Sequence, residues 1–390
     1  MIFVDKPFVS DFLRETIRKN DFPVVKTKIA KELGFNNGPN MLDEVDAIQK
    51  AKSSENISIY TTSENSIGWI ARHLSFTDLP EKIDLFKDKV KFRTLTKPMY
   101  PDFYFRKVHL DDLENLSVKN IPMPFIIKPA IGFFSMAVHK VTNPGEWEQT
   151  KKAIKSEILS VKDLYPMEVL NTTSFIIEEC IEGEEFAVDA YFNATGEPVI
   201  LNIYQHIFSS SEDVSDRIYI SSKEIIESNI DQFSVFLKET GKLAKVKNFP
   251  VHAEIRRDHT GSVLPIEINP MRFGGWCTTP DMTYFAYGFN SYEYYFSQNR
   301  PDWNQVLKNK QGKLYSIIVL DNSTGIEGDR ITAFDYDMLL SNFEKPLELR
   351  RINYKEYPVF GFLFTETREK NFSELERILK SDLREFITDL

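Results

Sequence analysis

The sequence predicts a mixed α/β and α+β fold in several sections, on three observations. Strand and helix patterns alternate over the first ninety residues, as in a parallel sheet with helices on its faces. After Pro124 the strands come mostly in neighbouring pairs with single helices interposed, which is an α+β pattern. A chain of 390 residues, 42% hydrophobic and 27% charged, suffices for two or three domains with ordinary cores.

Met1–Val4, Phe22–Lys26 and Ile57–Thr62 are short apolar runs expected as strands, with VSDFLRETIRKN and LDEVDAIQKAK as the helices between them. No Gly-x-Gly-x-x-Gly follows the first strand, so dinucleotide binding is not supported. A charged helix, DLFKDKVKFRTL, leads into a proline-punctuated connection, KPMYPDFYF and NIPMPF. PFIIKPAIGFFSMAVHKV then reads as two strands around a loop containing Gly132. The next helix has Asn143 as N-cap and Pro144 in its first turn, and Trp147, Ile154, Ile158 and Val161 form one buried stripe. SFIIEECIEGEEFAVDAYFN is a strand, a break and a strand. VILNIYQHIF, VHAEIRR and VLPIEIN follow as strands, with a helix over Ile225–Leu243 after the first. LYSIIVL and VFGFLFTE are the last strands, and Ser373 with Glu376 forms a capping box opening a terminal helix. The expected sections are an N-terminal Rossmann-like α/β domain (1–90), a linker with a small subdomain (91–180), a large subdomain (181–300) and a C-terminal α+β subdomain (301–390).

The net charge of −10 argues against a dedicated nucleic-acid binder. Cys180 and Cys277 are the only cysteines and lack a metal-ligand spacing, which suits a reducing compartment. The start, MIFVDKPFVSD, has no basic region followed by a long apolar run, and no stretch reaches the ~18 apolar residues of a membrane span. A soluble cytoplasmic protein is expected.

Three stretches carry candidate chemistry. In IEINPMRFGG, alternation on a strand turns Glu267 and Asn269 to one face while Ile266 and Ile268 face a core. VHAEIRRDHTGSVLPIEIN reads as a hairpin turning at Asp258–Gly261. Pairing Arg257 with Ser262 sets Glu254 opposite Pro265, on the face of Glu267 and Asn269. Two carboxylates and an amide oxygen together suit Mg²⁺, and equally describe a solvated hairpin face. In IIKPAIGFFSMAV, Lys128 ends a strand before Gly132 and Ser135, either as a phosphate contact beside a glycine turn or as a solvated lysine. In EECIEGEEF, Glu178 to Ile181 break a strand edge that is open to an adenine edge, with Glu185 placed for ribose hydroxyls. The alternative is an acidic linker between domains.

In this order, FIIKPAIGFFSMAV, FIIEECIEGEEFAVD and HAEIRRD with IEINPMRFGG resemble the ATP-grasp superfamily over roughly residues 85–300. The resemblance implies two α+β subdomains clamping ATP behind an N-terminal α/β domain. It assigns Lys128 to the α/β-phosphates, and Gly132 and Ser135 to a loop over the triphosphate. Glu178, with the backbone of Glu179, Cys180 and Ile181, meets adenine, and Glu185 the ribose. Glu254, Glu267 and Asn269 hold Mg²⁺, as two ions, and Arg272 contacts the transferred phosphoryl group or the substrate carboxylate, with Arg256 assisting. The family also uses a second, upstream lysine; Lys89 fits best, with Lys97 the alternative and Arg93 able to share the task. His252 and His206 either line the site or are satisfied polar residues.

The resemblance implies an ATP-dependent carboxylate–amine ligase working through an acyl phosphate on an amino acid or similar small carboxylate. The alternatives are a bicarbonate-using or purine-pathway enzyme, and a regulatory module that binds nucleotide without turnover. No nucleic acid or membrane partner is implied, and dimers are common in the family. The polar loop Ser209–Arg217 either covers a second substrate or is a solvated excursion.

Overall fold

A computed structural model of the chain describes residues 1–36, 40–54, 57–132, 137–161, 171–210 and 215–388. The N-terminal section is a parallel sheet in the order Met41–Leu42, Val24–Val25, Ile2–Phe3, Tyr60–Thr61. Its first helix, Asp11–Lys19, starts where the Ser10 hydroxyl accepts from the Leu13 N–H, and buries Leu13, Thr16 and Ile17 on one stripe. Leu42, expected as the first residue of a helix, belongs to the strand Met41–Leu42, because Asp43 takes the N-cap position and the helix begins only at Glu44.

The charged helix expected over DLFKDKVKFRTL is two helices, Leu79–Lys87 and Lys89–Thr96. Asp88 between them is extended, and its carboxylate accepts from the N–H groups of Val90 and Lys91, restarting the helix as an N-cap. The break leaves Lys87, Lys89 and Arg93 all buried.

A small subdomain follows as a four-stranded antiparallel sheet, in the order Phe105–His109, Asn171–Glu179, Phe125–Ile131, His139–Val141. The helix Trp147–Val161 covers it, and Phe125, Ile127, Trp147, Ile154, Ile158 and Phe175 build a core of its own. Asn143 caps the turn ahead of that helix as expected; the side chain of Val161 lies outside the described residues.

The rest is one antiparallel sheet of eight strands. Its order is Val263–Pro270, Phe249–Arg257, Glu184–Phe192, Pro198–Ile207, Ile218–Ser222, Lys313–Asp321, Val359–Arg368 and Pro346–Arg351. The sheet thus runs on through residue 300, since Ile218–Ser222, a short strand not expected from the sequence, pairs with Lys313–Asp321. The long helix Lys223–Ala244 packs on it, with Gly241 so close to the Phe192 ring that a Cβ would sit 2.3 Å from it. One continuous core joins this sheet to the N-terminal domain, with Tyr60 5.2 Å from Phe273 and 5.3 Å from Tyr292, ring to ring. The terminal helix Ser373–Lys380 lacks the expected capping box. A 3-10 turn over Glu369–Asn371 runs into it, so Phe372 holds the cap position and Ser373 is already helical. Among the described residues no helix is long and apolar enough to cross a membrane.

Candidate active site

Strand alternation builds the floor of the site. His252, Glu254 and Arg256 share one face of Phe249–Arg257, opposite Asp189, Ala187 and Glu185 on one neighbouring strand. On the other neighbour, His252 faces Asn269 and Glu254 faces Glu267. The expected pairing of Glu254 with Pro265 is corrected by a bulge, for Ile255, not Glu254, lies opposite Pro265. Arg93 sits at the bulge, donating through Nη1 to the Pro265 carbonyl at 2.6 Å and through Nη2 to that of Ile266 at 3.3 Å. The bulge brings the two carboxylates directly across from each other. Asn269 spans them, its Nδ2 3.4 Å from Glu254 Oε1 and 3.2 Å from Glu267 Oε1.

Buried cations surround this floor. Lys89 Nζ lies 2.8 Å from Glu267 Oε2 and 3.5 Å from the Gly132 carbonyl oxygen, so it reaches both the carboxylate pair and the loop after Ile131. Lys97 does not; its Nζ meets the Phe103 carbonyl at 3.5 Å. Lys128 Nζ pairs with Glu178 Oε1 at 2.5 Å, and Arg93 Nε with Glu178 Oε2 at 2.7 Å. Burial alone would raise the Glu178 carboxyl, yet Arg93 and Lys128 hold it down to about 2. Burial likewise opposes ionisation of Glu267, but Lys89, Lys128 and Lys87 keep it far below the usual carboxylate range. Among the described residues no lysine or arginine pairs directly with Glu254, so burial and the facing Glu267 charge push its carboxyl well up against the weaker pull of Arg272.

Arg272 leaves the end of the floor strand and returns to the N-terminal domain, donating to Glu64 Oε1 through Nε at 3.2 Å and Nη2 at 2.9 Å. Lys87 takes the other Glu64 oxygen. At the opposite end, Arg256 donates to Glu185 Oε2 at 3.0 and 2.8 Å and to the Ile181 carbonyl at 2.5 Å. His206 Nδ1 lies 2.9 Å from Glu185 Oε1, and its Nε2 lies 2.9 Å from the Ser215 carbonyl. Two of the expected hinge groups are occupied, since the Glu179 and Cys180 N–H groups donate to the carbonyls of Tyr104 and Pro124 at 3.1 Å each.

Residues 121–280 match the family model of the ATP-grasp domain. The chain carries an ATP-grasp domain. No curated protein sequence matches it. Among solved structures, it is similar to an L-amino acid ligase from Bacillus licheniformis. The TM-score is 0.69 at 16% identity, covering 100% of this chain and 98% of that one. It is also similar to N5-carboxyaminoimidazole ribonucleotide synthetase from Thermotoga maritima (TM-score 0.63, 15% identity, 96% of each chain). A third is the biotin carboxylase domain of a 2-oxoglutarate carboxylase from Hydrogenobacter thermophilus, solved with MgADP, ADP and bicarbonate. There the TM-score is 0.60 at 12% identity, covering 96% of this chain and 89% of that one. At such identities the likeness is one of fold.

Within the matched residues 121–280, and with Lys89 from ahead of them, the sequence-derived candidates gather in two places. Glu254, Glu267, Asn269, Lys89 and Gly132 converge, with Lys128 held beside them on Glu178. Glu179, Cys180, Ile181 and Glu185 line the other end, and Arg256 is tied to that end rather than to Arg272. Ser135 and residues 211–214 of the polar loop lie outside the described residues; Arg217 of that loop is anchored on Asp321 at 2.9 Å. Among the described residues no cluster of three or more His, Cys, Asp or Glu is arranged for a metal, so the candidate set is two carboxylates and an amide. That set fits Mg²⁺: the donors are hard oxygens, two carboxylates face each other, and turning the Asn269 amide over presents Oδ1.

Two residues escaped the sequence reading. Asp189, fully buried, lies 2.7 Å from His252 Nδ1 and accepts from the Gly274 N–H at 3.0 Å and from Thr279 Oγ1 at 2.5 Å. A lone carboxylate inside FAVDAYF was its only signal. Glu64 follows the last strand of another domain, 208 positions before Arg272, and gave no signal at all.

Proposed function

We propose that this protein is an ATP-dependent carboxylate–amine ligase that forms an acyl phosphate and acts on an amino acid or a similar small carboxylate. The observation that carries the reading is the meeting of Lys89, Glu267, Asn269 and Glu254 within hydrogen-bonding reach, with Arg272 fixed at the end of the same strand. The motif KPAIGFFSMAV with INPMRFGG supports the substrate class, as does the fold shared with an L-amino acid ligase.

Adenine would lie against the Cys180–Ile181 backbone and ribose against Glu185, whose carboxylate Arg256 and His206 hold in place. Lys128 would meet the inner phosphates, and Glu178 serves it as counter-ion and support rather than as a base contact. Lys89 would leave Glu267 for the outer phosphates. Glu254, Glu267 and Asn269 would hold Mg²⁺, which draws charge from the phosphate oxygens when bound. The substrate carboxylate, steered by Arg272, attacks the γ-phosphorus in line; the new P–O bond forms as the bridge to ADP breaks. An amine then attacks the acyl carbon; the C–N bond forms as the C–O bond to phosphate breaks, and phosphate leaves with the amine's proton and the charge that Arg272 faces. The protein supplies positioning and charge and no nucleophile of its own.

The test is trapping. With Mg·ATP, one carboxylate and hydroxylamine in place of the amine, the reading expects a hydroxamate in step with ADP. ADP formation with no hydroxamate for any carboxylate would contradict the acyl phosphate.

A further inference from the structure

Residues 271–273 carry the arginine assigned above to the acceptor, and the N-terminal domain grips all three. The Met271 carbonyl accepts from the Thr61 N–H at 2.8 Å and from Thr61 Oγ1 at 3.3 Å. The Phe273 N–H meets Tyr60 Oη at 3.5 Å. Between them Arg272 lays Nε and Nη2 on Glu64 Oε1 and gives Nη1 to the Phe273 carbonyl at 2.9 Å. Met271 has φ of 68°, a left-handed conformation that costs a residue with a side chain and persists only where its surroundings impose it.

A guanidinium has five N–H groups. Three are used among the described residues, which leaves one on each Nη, a fork suited to two oxygens of a carboxylate or phosphate. Free arginine side chains lose much rotamer freedom on binding an anion. This one is held beforehand, by a carboxylate that is itself 8% exposed and pinned from its far oxygen by Lys87.

We propose that Glu64 is a positioning residue of the N-terminal domain, which with Lys87 as its anchor aims the Arg272 fork at the acceptor side of the site. The N-terminal domain then completes the anion site instead of merely packing beside it. This rests on Arg272 facing the transferred phosphoryl group or the carboxylate.

The test uses the full chain saturated with Mg·ADP, and inorganic phosphate as the probe, titrated by calorimetry. Glu64→Gln is expected to weaken phosphate roughly five- to tenfold, the scale on which misorienting one charge-assisted hydrogen bond acts, with Mg·ADP affinity within about twofold of the parent. Glu64→Gln combined with Lys87→Met removes the stranded lysine charge, and is expected to fold with the same selective loss. Arg272→Lys is expected to weaken phosphate more than about tenfold, because an ammonium cannot offer the fork. If Arg272→Lys loses phosphate and both Glu64 variants keep it, the positioning role is overturned while the reading of Arg272 stands. If Arg272→Lys keeps phosphate, or the parent never binds it, the reading of Arg272 falls and takes this inference with it. Equal weakening of phosphate and Mg·ADP in the Glu64 variants would mark general damage and also overturn the proposal.

Discussion

Replacing Lys89 with methionine should move two affinities in opposite directions. Lys89 and Glu267 are 2.8 Å apart and mostly buried, so a cation that takes Glu267 as proposed must displace Lys89 from it. At about 4 Å between charge centres and an effective dielectric of about 20, their attraction is about 4 kcal/mol, part of which a cation must overcome to take Glu267. Removing Lys89 should therefore tighten Mn²⁺, measured alone by electron paramagnetic resonance, by roughly tenfold or more, about 1.4 kcal/mol. ATP should weaken roughly 10- to 100-fold by calorimetry, since the variant forgoes a charge-assisted hydrogen bond of about 1.5–3 kcal/mol. Methionine keeps the stem's apolar packing, and a melting curve with and without Mn²⁺ checks the fold. Mn²⁺ affinity unchanged or reduced in a folded variant would refute the view that Lys89 and a cation compete for Glu267.

Other outcomes follow from the same side chains and their neighbours. The Glu178 carboxyl is held at about 2 against an ordinary 4.5, so its stabilisation is complete above about pH 4.5 and fades as pH falls toward 2. Glu178→Gln should flatten that limb of an acid-unfolding curve and lower stability by roughly 3–5 kcal/mol in urea at neutral pH, by stranding Lys128 and Arg93. Gly274→Ala would place a Cβ 2.3 Å from Thr279 Oγ1 and 2.9 Å from Thr279 Cβ, so rotating that side chain gives no relief. A stability loss of about 1–3 kcal/mol and a steep fall in turnover are expected, read by urea melts and steady-state rates. Asp189→Asn keeps the volume and an oxygen for His252 and Gly274, which share Oδ1, but sets an amide N–H where Oδ2 accepted from Thr279 Oγ1. It should cost about 1–3 kcal/mol by the same melts.

Much of this was legible because strand alternation is a local rule. The spacing of His252, Glu254 and Arg256, and of Glu267 and Asn269, places each on the correct face without knowledge of the fold. The Ala253 and Ile268 side of the same strands reads as core for the same reason. Register was not legible, because nothing in the local sequence marks the bulge at Pro265–Glu267, whose carbonyl partner Arg93 lies more than 170 residues away. The helix break at Asp88 was hidden in a run of good helix formers and depends on one side chain turning back onto its own backbone. The ion pairs that Glu178 makes with Lys128 and Arg93 join a helix and two strands whose spacing along the chain does not announce the meeting. Glu64 is a tertiary partner with nothing periodic about it, and no reading along the chain links it to Arg272.

The central claim is tested most directly by phosphate release from the full chain with Mg·ATP across amino acids supplied singly and in pairs, with bicarbonate and simple amines alongside. Glu267→Gln serves as the control. The ligase reading expects release that requires one particular carboxylate together with one amine, and that disappears in the variant. Release that depends on bicarbonate, or that persists undiminished in Glu267→Gln, would contradict it.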